Sequence, residues 1–177
     1  MLLFNLTSFS FMNQNLTEKD KELLRRCVEI AHDAMTKGNH PFGCLLADEN
    51  GKILLEQGNA FLEGGSAYHA ETLLLLKAAK QYPPEFLAKC SLYSNFEPCC
   101  MCTGALYWTN TLRLVYGATE KDLLKYTGDN EENPTFALDC REVVKHGQKN
   151  ITIVGPTNDE ELLALICKDH IDFWKNR

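Results

Sequence analysis

Apolar and polar positions alternate along this chain with two different periods, and the switches between them mark out its elements. Residues 17–37 place Leu23, Leu24, Cys27, Val28, Ala31 and Ala34 on one helical stripe. Thr17 is the expected N-cap, Glu18 and Asp20 supply acid to the first turn, and Gly38 stops the helix. Two short runs at 42–47 and 52–59 follow, separated by Asp48-Glu49-Asn50-Gly51, which predicts a β-hairpin. Gly64-Gly65-Ser66 reads as a flexible approach to a second helix over 69–81, closed by Pro83-Pro84. A buried strand at 90–96 runs into Pro98 and a short helix through Trp108. A strand at 112–117, a helix at 119–126, a polar loop at 127–134 and a helix at 135–145 come next. Ile151 to Val154 is the last strand, and Asn158 is expected to cap an amphipathic helix ending at Trp174. Strands interleaved with helices predict a layered α/β domain.

Composition narrows the class without naming it. At 177 residues, 45% hydrophobic and 24% charged, the chain suits one globular domain over residues 16–177. Residues 1–15 are expected to be an N-terminal extension, loosely ordered. Their apolar start has no basic flank, is too short for a membrane span and lacks a small-residue cleavage site, so no membrane association is expected. A formal charge of −6 with no run of four Lys or Arg leans away from a polyanionic partner. Eight cysteines are too few for a disulfide scaffold of this length. Cys27, Cys44, Cys90 and Cys167 sit in apolar patterns as small hydrophobes, which fits a reducing, cytoplasmic setting.

The chemistry concentrates in His69-Ala70-Glu71 and in Glu97-Pro98-Cys99-Cys100-Met101-Cys102. Either alone says little: a histidine inside an apolar pattern is commonly a core residue, and C-x-x-C also marks redox dithiols. Together they read H-x-E … P-C-x-x-C, the spacing of zinc deaminases of nucleobases. One imidazole and two thiolates hold Zn²⁺ and leave a fourth position for water, whose pKa the ion brings toward neutrality. Pro98 starts a helix that sets Cys99 and Cys102 one turn apart, facing the same way. Glu71, two residues after His69, is placed to move protons without binding the metal.

With those residues in view, the chain resembles the cytidine deaminase-like superfamily over most of residues 20–120, and within it the bacterial guanine deaminase branch. Pro41-Phe42-Gly43, the two motifs above and Gly104-Ala105-Leu106-Tyr107-Trp108 carry the likeness. The resemblance implies a three-layer α-β-α sandwich around a five-stranded mixed sheet, and one zinc held by His69, Cys99 and Cys102. It also implies Glu71 as proton shuttle and a homodimer. It places Asn59 on the base edge and Phe42 and Trp108 as rings walling the pocket beside Ala70. It further suggests Asp129 as a carboxylate for a 2-amino group and Trp174 as a C-terminal aromatic closing the site, from its own chain or a swapped partner. Phe42 and Trp108 read equally well as core, and Asn59 as a turn residue. Cys100 departs from the family, which mostly has proline or a small residue there.

The leading expectation is therefore hydrolysis of a small purine, guanine first, with catalytic water and no nucleic acid. Its alternatives are a tRNA adenosine deaminase, a cytosine or other pyrimidine deaminase, and a structural zinc module. Tyr68, where tRNA deaminases typically have Asn, and the acidic balance count against the first alternative. The structural module would need Cys100 as a fourth ligand and would leave Glu71 without a role.

Overall fold

The computed structural model describes residues 15–177, the side chain of Asn176 excepted; most of the expected N-terminal extension lies outside them. Five strands form one mixed sheet in the order β2-β1-β3-β4-β5. β1 (Gly43–Ala47) and β2 (Ile53–Gly58) are the expected hairpin, and β1 also runs antiparallel to β3 (Ser91–Phe96). β4 (Arg113–Ala118) and β5 (Thr152–Val154) continue the sheet parallel to β3. The change from antiparallel to parallel pairing follows the connections. A tight turn joins β1 to β2, whereas a helix spans each of the parallel crossovers.

Alternation along the strands divides the interior in two. Leu45 and Ala47 of β1, Tyr93 of β3 and Val115 of β4 face α1 (Glu18–Thr36) and α8 (Glu160–Lys168). Cys44, Leu46, Leu92, Leu114 and Tyr116 face the opposite way, onto α3 (Ala70–Gln81) and α5 (Cys100–Trp108). The result is the three-layer arrangement expected of the sequence. β1 approaches α1 closely: a Cβ on Gly43 would lie 2.4 Å from the Cys27 carbonyl oxygen, so only glycine fits that crossing.

The first helix begins as predicted. The Thr17 hydroxyl accepts from the Asp20 amide at 3.1 Å, and the Asp20 carboxylate accepts from the Thr17 amide at 3.0 Å. The same carboxylate accepts from the Tyr93 hydroxyl and from Arg113, which ties the helix start to β3 and β4. Asp20 is buried, and these donors hold its pKa down against the opposing cost of burial.

Several expectations shift. The approach to His69 is not open loop: Asn59 Oδ1 accepts from the Phe61 amide and nucleates one turn, α2 (Phe61–Gly64). Pro84 ends nothing; it opens a further turn, α4 (Pro84–Leu87), at a position where a missing amide costs no hydrogen bond. After α6 (Glu120–Thr127), the segment expected to be helical over 135–145 is helical only in α7 (Cys140–Lys145), where Asp139 caps the Arg141 amide. The terminal helix starts from Asp159, not Asn158, and breaks at Asp169 into α8 and α9 (His170–Phe173). The break turns His170 and Trp174 inward. All eight cysteines are free, and no described helix is long and apolar enough to cross a membrane.

Candidate metal centre and substrate cavity

Beyond the carboxyl ends of β3 and β4, two helices begin side by side. His69 is the N-cap of α3 and Cys99 the N-cap of α5, each with extended backbone just before its helix. Neither side chain caps its own helix, so both are free to turn to a common point. His69 Nδ1 lies 3.5 Å from Cys99 Sγ and 3.5 Å from Cys102 Sγ. Tetrahedral zinc with ordinary Zn–N and Zn–S bonds separates nitrogen from sulfur by about 3.6 Å. The three donors therefore fit the ion at its natural spacing. Cys100 is not among the converging atoms.

Electrostatics agree with that fit. The Cys102 thiol donating to Cys99 brings the latter down to about 4 against the opposing effect of burial, with His69 assisting. Cys102 is driven up by sharing its proton with Cys99 and by burial. Burial works against charge on His69, yet Cys99 and the Glu71 carboxylate hold it up, to about 9. Two sulfurs and an imidazole sharing negative charge are a donor set for a borderline-soft divalent cation.

Glu71 lies in the first turn of α3 and is buried. The Ser94 hydroxyl donates to its Oε1 at 2.7 Å, and Cys102 Sγ lies 3.5 Å from its Oε2. Ser94 faces α3 because it shares the pleat of Leu92, so the sheet itself orients this carboxylate. Thr72, one residue on, contacts Cys102 Sγ at 3.2 Å.

The cavity against these groups is narrow, about 20 Å³, room for one water-sized molecule. Phe42, Asn59, Ala70 and Phe96 line it. Phe42 meets Phe96 edge-on at 6.0 Å and His170 at 5.1 Å. Asn59 Oδ1 is committed to the Phe61 amide at 2.9 Å, so this side chain is left to donate through Nδ2 and not to accept as well. Two expected contacts are absent from the cavity. Trp108, at the far end of α5, is 81% exposed and walls nothing in its own chain. Asp129, in the turn after α6, is exposed and does not line the cavity.

Trp174 is buried in its own chain and packs on His40 and Phe42 without lining the cavity. Its Nε1 donates to His170 Nδ1 at 3.2 Å, and His170 Nε2 donates to the Pro41 carbonyl at 2.9 Å. Asn130 donates to the Trp174 carbonyl, and Arg177 reaches Glu132 and the Gly38 carbonyl. The C-terminal segment is thus fastened over the Phe42 side of the site.

Three carboxylates meet nearby, and two were missed in the sequence. Glu97 accepts from the Cys140 amide at 2.8 Å and the Glu120 amide at 3.1 Å, joining α6 and α7 to the turn before Cys99. With Asp139 and Cys140 it makes a second cluster within metal-binding reach, but both Glu97 oxygens are spent on backbone amides. Glu120 lines the cavity, and burial, reinforced by Cys99, Glu71 and Glu97, pushes it up to about 8. Glu97 stands inside the motif and could have been singled out. Glu120 looks like any first-turn acid, and Asn133, which also lines the cavity, sits in a loop without pattern.

A three-layer α/β fold with a His/Cys/Cys site and a buried non-ligand carboxylate defines a zinc-dependent hydrolase. The model of the cytidine and deoxycytidylate deaminase zinc-binding region matches residues 17–118, and the chain belongs to that family of deaminases. A probable cytosine deaminase of Schizosaccharomyces pombe is 33% identical over 90% of this chain and 94% of its own. A tRNA-specific adenosine deaminase of Haemophilus influenzae is 33% identical over 59% of this chain and 61% of its own. Among solved structures, guanine deaminase from Nitrosomonas europaea superposes with a TM-score of 0.66 at 23% identity, covering 96% of both chains. Zinc is the metal of this family; His69, Cys99 and Cys102 would hold it, and it would supply Lewis acidity to a water molecule.

Two outcomes follow from this geometry. His69→Ala, Cys99→Ala and Cys102→Ala are each expected to lose the copurifying zinc, whereas Cys100→Ser keeps one per chain by metal analysis. The second concerns acid stability. Burial holds His170 down to about 3, well below the ordinary value near 6.5 of an unfolded histidine. Between those values the unfolded chain binds the extra proton, so stability falls as pH drops below about 6.5, by about 1.4 kcal/mol per unit. Urea midpoints at pH 6.5 and 5.5 should therefore fall more steeply for the native chain than for His170→Phe. Equal slopes would refute the assignment.

Proposed function

We propose that this deaminase acts on a free nucleobase, with His69, Cys99 and Cys102 as its zinc ligands and Glu71 as its proton carrier. The observation that carries the reading is the small cavity under the fastened C-terminal segment. Phe42 and the donor set line it together, which offers a ring for a flat base to stack on, whereas an anticodon loop would need a much wider mouth. Glu71, oriented by Ser94, carries one proton of the water to the ring nitrogen and then the second, from the hydroxyl added to the ring carbon, to the departing amine. Ammonia is the leaving product and the base gains a carbonyl.

Cytosine ranks first as the base and guanine second. The S. pombe relative covers 90% of this chain, whereas the tRNA deaminase relative covers 59% of it. Guanine is supported by the motif resemblance, and the N. europaea structure adds a shared fold. Pairing of two copies is part of the same proposal, supported by Trp108 and Met101 standing exposed on α5. Sedimentation should give a dimer for the native chain and a monomer for Trp108→Glu.

The test of the reaction is ammonia release by zinc-loaded protein on cytosine, guanine, adenine, their nucleosides and an anticodon stem-loop. Turnover is expected on a free base, with little change between low and physiological salt. Efficient turnover of the stem-loop that falls steeply with salt would overturn the proposal, since that dependence reports phosphate contacts. In the same assay Glu71→Gln should keep its zinc and lose a factor of at least roughly 10²–10⁴ in rate.

A further inference from the structure

Most polar side chains in the cavity are already committed. Glu71 accepts from Ser94, both oxygens of Glu97 hold backbone amides, and Asn59 Oδ1 holds the Phe61 amide. Besides the Asn59 Nδ2 donor, two groups stand apart. The Glu120 side chain is 7% exposed, and its oxygens receive no hydrogen bond from any described residue. Its backbone is nevertheless fixed, by Glu97 on its amide and by the capping box of Thr119 and Asp122 around it. Asn133 Nδ2 is fully buried and has no partner. Both residues line the same cavity.

Leaving a buried polar group unpaired costs about 1–3 kcal/mol, and more for a charged one. Here Asn133 Nδ2 is such a group, and the Glu120 carboxyl, which receives no hydrogen bond from a described residue, lines the same cavity. Their complement is a molecule with an N–H donor and an acceptor. The geometry points to Glu120 and Asn133 as the specificity-determining pair, which takes the lactam edge of the base: Glu120 accepts the ring N–H, and Asn133 donates to the adjacent carbonyl. The assignment rests on the free-base reading above and narrows it.

Lactam chemistry sorts the candidate substrates. Cytosine carries a ring N–H at N1 beside the C2 carbonyl, and guanine carries one at N1 beside the C6 carbonyl. Adenine has no carbonyl, so Asn133 would stay unpaired against it. In cytidine the sugar replaces the N1 hydrogen and Glu120 would lose its donor, whereas guanosine keeps its N1–H. A carboxyl group accepts a hydrogen bond whether or not it carries a proton, so the assignment is independent of the ionisation of Glu120. Sites built to pair with a substrate N–H reject the analogue lacking it far more strongly than an apolar pocket rejects an extra methylene.

The experiment compares each parent base with its N1-methyl analogue, by turnover and by calorimetric binding to the zinc-loaded protein. The native chain should prefer the parent base by about 10²-fold or more in kcat/KM, most of it in KM and in binding. Glu120→Leu should bring that preference to within a few-fold while retaining zinc. Asn133→Leu should weaken binding of the parent base by about tenfold and keep the discrimination against the methyl analogue. If the native chain turns over a free base but accepts the methyl analogue equally well, the assignment fails and the free-base reading stands. That arm needs no variant, so a Glu120→Leu chain that does not fold leaves the test intact. Full discrimination in a folded Glu120→Leu chain also overturns it. Turnover of no free base removes both.

Discussion

The site depends on two helices that begin at the same place. His69 and Cys99 are each the last extended residue before a helix, and because neither caps its own helix, both side chains reach a shared point. Packing of α3 against α5 on one face of the sheet sets the separation, and the 3.5 Å spacing of imidazole and sulfur follows from it. Helix starts are also where backbone amides favour negative charge. The placement that brings the thiolates together therefore stabilises them. Once the two helices are set on the sheet, the remaining geometry of the metal centre has little freedom.

The sheet adds what the helices cannot. Ser94 lies on the same pleat as Leu92, so a residue of the central strand reaches up to hold Glu71. Glu97, just past that strand, then binds the amides that open α6 and α7. One carboxylate in the motif thus orders two segments that are far away in sequence. Chemistry and enclosure are joined through β3.

This division explains what could be read from the sequence alone. Hydrophobic runs and the turn residues between them located all five strands and the long helices, because most of these elements lay a face on the core. The ligands were legible since metal chemistry demands particular residue types at short spacings. Short helical turns at 61–64 and 84–87 escaped notice because each is made by one local hydrogen bond or one proline, with no periodic face. Trp108 carried a motif-based expectation that the structure redirects: the C-terminal end of α5 points away from the cavity, and its ring is exposed. Glu120 and Asn133 were invisible for a different reason. Their significance is the absence of a partner in a closed space, which only three-dimensional placement reveals.

The metal-donor side chains stand on helix starts, while Asn133 reaches the cavity wall from the irregular segment over residues 128–139. Irregular surface segments accept substitution and insertion more readily than packed elements. Substrate preference in such a molecule is able to drift by exchange of one or two wall residues, with the bond-breaking apparatus inherited unchanged. Relatives named for cytosine and for tRNA adenosine then need not mark separate inventions of the reaction. A change of base would then ask only for a change of wall, with the helix starts left as they are.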